Sequence, residues 1–129
     1  MIYLLIAVGG AVGSLLRYLI GGVVQRMSAS GFPVGTMFVN VSGCFLIGIL
    51  VRQFLNMQLT PEARAFLVVG FCGGFTTFST FSAETLGLIE GGEYGRAMGY
   101  VILSVVLCLG ATFAGMSLMR LLAGTGHAR

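Results

Sequence analysis

The sequence predicts an all-α integral membrane protein with four transmembrane helices and a break in the third. Three observations carry that reading. Of the 129 residues, 57% are hydrophobic and 9% are charged, with no Trp, Asp or Lys; a soluble domain carries about 25% charged residues. Four long apolar runs follow one another. Met1–Val24 contains one charge, Arg17, and Met27–Val51, Ala65–Ala83 and Ala97–Met119 contain none. Roughly 20 mostly apolar residues cross a hydrocarbon core of about 30 Å, so each run is long enough to span. Inside the third run, GFCGGFTTFSTFS (Gly70–Ser82) sets a Gly-Gly pair before hydroxyl residues interleaved with phenylalanines.

The first span, about residues 2–25, lacks the basic opening and small-residue cleavage site of a signal peptide and reads as a retained helix. The second, about 34–54, follows RMSASG (Arg26–Gly31) and Pro33. Thr60-Pro61-Glu62 is a helix-start signal for the third span, about 62–89, with the break near 73–77. EGGEYGR (Glu90–Arg96) leads into the fourth, about 95–122, and 124–129 is a polar tail expected to fray. The whole chain, 1–129, forms one domain, without internal repeats. Gly9 with Gly13, and Gly70 with Gly74, have the four-residue spacing that lets helix backbones approach closely in lipid, either within a subunit or between subunits.

Charge is sparse and confined to helix ends. The net charge of +3 suits a membrane surface and provides no nucleic-acid patch. Arg52, Arg64, Arg120 and Arg129 fall on the side of the termini, Arg26 and Arg96 on the other. So weak a bias permits insertion in both orientations, and with it an antiparallel dimer. Cys44, Cys72 and Cys108 all fall within spans, where they read as small packing residues rather than disulfides or metal ligands. The single His is His127 in the tail, and the single acid within a span is Glu84. No catalytic triad, paired carboxylate or metal-ligand set can be assembled, so the chain is not expected to be an enzyme.

The neutral polar residues carry the functional signal. Gly73-Gly74 weakens a helix by about 1 kcal/mol per residue relative to Ala, and the hydroxyls of Thr76 to Ser82 can bond back to the chain and bend it. Either a short unwound segment spans Gly73–Thr77 and presents carbonyls or half-helix ends to an ion, or the helix bends without a break. Phe78 and Phe81 share a helix face if the helix resumes after the break. They either pack in lipid or core, or offer an anion the positive edges of their ring quadrupoles, and the hydroxyls around them favour a pore. Asn40 is an amide in a charge-free span, with donors for an anion or for a neighbouring helix. Tyr100, Ser104, Cys108 and Thr112 recur every four residues as a polar stripe that serves ion passage or helix–helix bonding equally well. Arg17 could concentrate anions at a pore mouth or anchor its helix at the interface. Glu84 could line a vestibule; a plain helix-end charge is the preferred reading. Neutral dipoles let an anion both enter and leave, and the set fits a small, hard, hydrated anion without naming it.

GGAVGSLLRY (Gly9–Tyr18), GTMFVNVSGCFLIG (Gly35–Gly48) and GFCGGFTTFSTFSAET (Gly70–Thr85) resemble the signature stretches of the fluoride-specific ion channel family, Fluc or CrcB. The similarity runs over about Ile2–Leu122. The resemblance implies passive export of fluoride from the cytoplasm across the bacterial inner membrane, through an antiparallel dual-topology homodimer with two pores. It also implies a structural Na⁺ at the dimer centre, held by the backbone carbonyls of Gly73 and Thr76 from each subunit. Phe78 and Phe81 become the anion-coordinating rings, Asn40 the pore amide, Tyr100, Ser104 and Thr112 the polar track, and Arg17 a vestibule residue. Cys108 stands where the track more often has a hydroxyl, and Tyr18 where a Trp is common. Two other functions compete. A small multidrug transporter typically needs a carboxylate in the first helix, and Met1–Val24 has none. A non-conducting assembly subunit would need none of these residues for flux.

Overall fold

A computed structural model describes residues 1–55 and 59–124. The chain runs through α1 (Ile2–Met27), α2 (Val34–Leu55), α3 (Pro61–Arg64), a π-helical segment (Ala65–Cys72), α4 (Gly73–Phe75), α5 (Phe78–Glu90) and α6 (Tyr94–Gly124). No strand occurs among the described residues. Four helical stretches are long and apolar enough to cross a bilayer: Ile2–Met27, Val34–Gln53, Pro61–Glu90 and Tyr94–Ala123. The chain is a multi-pass membrane protein. Of the tail expected to fray, only Gly124 lies within the described residues, and it is helical.

Two helix pairs dominate the packing: α1 against the π-helical segment and α4, and α2 against α6. Glycine makes both pairs possible. A Cβ at Gly9 would strike the Phe66 carbonyl oxygen, one at Gly13 the Phe71 carbonyl, and one at Gly70 would come within 2.7 Å of the Ile6 carbonyl. The two glycine pairs singled out in the sequence therefore face each other within one chain, backbone against backbone, where dispersion is strongest in lipid. Across the other seam, a Cβ at Gly48 would strike the Thr112 carbonyl and one at Gly115 the Phe45 carbonyl. Meanwhile the outward side of α6 leaves Val106, Leu109 and Phe113 exposed, as a lipid-facing surface requires.

Local chemistry sets the ends. The Thr60 hydroxyl accepts from the Ala63 N–H at 3.2 Å, with Pro61 at the first helical position. Gln25 closes the first loop twice over: its amide donates to the Phe32 carbonyl at 2.9 Å and accepts from the Gly35 N–H at 3.0 Å. Gly92 has φ of 75° and lets α5 turn into α6 within three residues, as the Gly92 and Glu93 N–H groups cap the Ile89 and Leu88 carbonyls.

The interruption of the third span falls within the expected Gly73–Thr77 but is narrower. Gly73 is right-handed helical, with φ −63° and ψ −37°, and the helix continues to Phe75. Only Thr76 (φ −82°, ψ 157°) and Thr77 (φ −150°, ψ 113°) are extended. Glycine permits unwinding but does not enforce it. The residues that redirect the backbone are the hydroxyls and an amide from α2.

Candidate ion pathway

Asn40 on α2 reads the Thr77 peptide from both sides. Its Oδ1 accepts from the Thr77 N–H at 2.7 Å, and its Nδ2 donates to the Thr77 carbonyl at 3.0 Å. Those two bonds fix the amide's orientation, since only the oxygen can accept and only the nitrogen can donate. One Nδ2 hydrogen remains. The Thr77 hydroxyl then serves as the N-cap of α5, accepting from the Thr80 N–H at 3.2 Å. These bonds have a consequence for the preceding turn. A continuous α-helix would give the Thr77 N–H to the Gly73 carbonyl and the Thr80 N–H to the Thr76 carbonyl. Here both donors go to side chains, so the carbonyls of Gly73 and Thr76 lose their regular helical partners.

A cavity of about 300 Å³ opens beside this peptide, lined by Asn40, Thr77, Phe78, Phe81 and Ser104 among others. The Phe78 and Phe81 rings stand 5.5 Å apart at 41°, and Phe81 lies 5.1 Å from the Tyr100 ring. Ser104 is buried, and its hydroxyl has no hydrogen-bond partner among the described residues. An orphaned buried hydroxyl is costly unless something fills its site. Phe78, by contrast, is 78% exposed in the single chain. In lipid-facing terms that is ordinary; beside an orphan hydroxyl it leaves one wall of the cavity open.

A larger cleft of about 720 Å³ also reaches Thr77, lined by Arg17, Gln25, Thr36, Thr80 and Glu84 among others. Thr77 borders both spaces. Glu84 is held at both oxygens: the Thr36 hydroxyl donates to Oε1 and the Tyr100 hydroxyl to Oε2, each at 2.7 Å. The preferred sequence reading of Glu84 as a plain helix-end charge does not describe this position. Thr36, absent from the residues the sequence points to, has one signal there: it lies four residues before Asn40 on the same face of α2. The cap formed by Thr77 also has a signal, a hydroxyl residue immediately before the apolar Phe78 that opens the helix.

Thr112 sits apart from the rest of the polar stripe. Its hydroxyl donates across the α2–α6 seam to the Cys44 carbonyl at 3.2 Å and to the Cys108 carbonyl at 3.0 Å. Ser104 lines the phenyl cavity and Tyr100 lies behind it, against Phe81 and Glu84; Thr112 ties two helices together.

A family model described as CrcB-like protein, Camphor Resistance (CrcB), matches residues 4–116. The chain belongs to the CrcB family. Its relatives agree. A fluoride-specific ion channel FluC of Thermus thermophilus is 52% identical over 122 residues, covering 95% of this chain and 98% of its own length. The protein of the same name from Nitrobacter winogradskyi is 50% identical over 120 residues, covering 92% and 95%. That of Sulfurovum sp. is 48% identical over 124 residues, covering 95% and 98%. Family membership therefore spans both helix pairs, the interrupted third span and the cavity beside it.

Proposed function

We propose that the chain is a passive, fluoride-selective channel that exports the anion from the bacterial cytoplasm across the inner membrane, relieving fluoride toxicity. The observation that carries this reading is the cavity at Thr77, where an unpartnered Ser104 hydroxyl and the Asn40 amide meet the Phe78 and Phe81 rings. Every one of these groups is neutral. Together they offer hydrogen-bond donors and positive ring edges in place of a hydration shell, without the fixed charge that would trap an anion. The names of relatives about half identical over nearly the full chain support fluoride as that anion. Arg17 raises the anion concentration in the larger cleft, and the Thr77 peptide, pinned by Asn40, divides that cleft from the phenyl cavity. Tyr100 acts from behind the cavity by backing the Phe81 ring; Thr112 acts at one remove, by holding α6 against α2.

The working unit in this proposal is an antiparallel homodimer with two pores. The exposed Phe78 ring supports it, because a second copy supplies the missing wall. So does the space over Gly73, where a Cβ would meet no atom within 4 Å. A Na⁺ at the centre fits the residues present. The carbonyls of Gly73 and Thr76 have given up their helical donors, and a hard cation takes oxygen ligands. Bound there, the ion would supply fixed positive charge that holds the two interrupted spans together.

Fluoride-electrode efflux from proteoliposomes, with chloride as the control, tests the reading. Fluoride is expected to leave down its gradient with chloride much slower. Equal chloride flux, or no fluoride efflux from reconstituted dimer, overturns it.

A further inference from the structure

We propose that Cys44 and Cys108 form a binding site for a soft, linearly coordinated divalent cation of the Hg²⁺ class, in the wall of the phenyl cavity. The two residues are neighbours across the α2–α6 seam: one Thr112 hydroxyl reaches both their carbonyl oxygens, at 3.2 and 3.0 Å. Their helices touch backbone to backbone next to this point, at Gly48 and Thr112. Both residues line the same small cavity, so each presents its side chain to one shared space. Neither is in a disulfide, both are half-buried, and both line the cavity of about 300 Å³. Ser104, one turn before Cys108, adds a buried hydroxyl that has no partner among the described residues.

The donor set selects the class of ion. Soft thiolates bind soft cations, whereas Ca²⁺ and Mg²⁺ require several oxygens. Zinc takes four protein ligands in a structural site and three in a catalytic one, and no group of three or more His, Cys, Asp or Glu suited to a metal occurs among the described residues. Two neighbouring thiols fit a two-coordinate ion. On binding, two S–H bonds break and two Hg–S bonds form. Two protons leave to solvent, and no electron is transferred. Two thiolates around one divalent cation make a neutral complex, which a low-dielectric wall tolerates far better than a charged one. Seated there, the ion occupies space beside Phe81 and Ser104 and obstructs the cavity.

Binding stands independently of the channel reading; its effect on flux rests on that reading, and the experiment separates the two. The purified full-length protein is titrated with HgCl₂, and protection of each cysteine from N-ethylmaleimide is followed by mass spectrometry. Cys44 and Cys108 are expected to become protected together at one Hg²⁺ per chain. Losing one thiol removes the chelate, so Cys108→Ser and Cys44→Ala should each bind roughly 100-fold or more weakly. Independent protection at one Hg²⁺ per thiol, or protection of Cys72 ahead of this pair, overturns the site. In proteoliposomes, Hg²⁺ should stop fluoride efflux and dithiothreitol should restore it. Each variant, measured against its own untreated rate, should resist the block. Unchanged efflux with both thiols protected overturns the obstruction, and no efflux from untreated protein counts against the channel reading alone.

Discussion

Replacing Asn40 by Ala removes both bonds that hold the Thr77 peptide extended. Thr77 is 9% exposed, so water can take the amide's place only poorly. A buried backbone group left unsatisfied costs about 1–3 kcal/mol, while polar contacts between membrane helices average about 0.6 kcal/mol because the separated helices find other partners. The lower figure describes side chains that can turn elsewhere. The Thr77 peptide is fixed between α4 and α5 and cannot, so a value of about 1–2 kcal/mol per bond is appropriate, or about 2–4 kcal/mol for both. That shifts the local opening equilibrium by about 30- to 700-fold. Amide hydrogen exchange at Thr77 reads the shift directly, and fluoride efflux reads its effect. We expect Asn40→Ala to lose protection at Thr77 by that factor and to conduct poorly. Asn40→Asp separates the two readouts. One carboxylate oxygen still accepts from the Thr77 N–H, so protection is partly kept, while the new charge in the anion route abolishes flux. Exchange at Thr77 unchanged in Asn40→Ala would refute the argument.

The other expectations are more local. Glu84→Gln replaces one accepting oxygen by a donor, so either Thr36 or Tyr100 loses its bond; fluoride efflux should fall, while Tyr100→Phe, which removes only one donor, should fall less. Phe78→Ile removes the positive ring edge at the open side of the cavity and should slow efflux roughly tenfold, equivalent to about 1.4 kcal/mol in the barrier. Gly115→Ala drives a Cβ into the Phe45 carbonyl and should destabilise the fold by about 1–3 kcal/mol in a denaturant titration. Gly110→Ala, where a Cβ meets nothing within 4 Å, should leave stability equal or raised by up to about 1 kcal/mol. A cost at Gly110 matching that at Gly115 would mean that something beyond this chain packs there.

The spans were legible because lipid imposes a simple rule: long apolar runs with charge at their ends. The facing glycines were legible as close-packing positions, but not as partners, since spacing along one helix says nothing about which helix it meets. The same limit explains the third span. Gly73-Gly74 attracted attention as the weak point, yet both residues are helical, and the redirected peptide is Thr77, held by an amide 37 residues away in sequence. Local propensity cannot register such a contact. Glu84 repeats the lesson, since its two partners come from α2 and α6. The π-helical stretch over Ala65–Cys72 has no signal in the sequence, because its apolar run reads the same as a regular helix.

Thr77 borders both spaces, and a shared partition makes the chambers thermodynamically inseparable. Any tilt of that one peptide reshapes both at once. Substitutions at Arg17 and at Phe81, though they line different volumes, should therefore fail to combine independently: their double-mutant cycle should leave a coupling energy well outside the few tenths of a kcal/mol typical of unconnected sites.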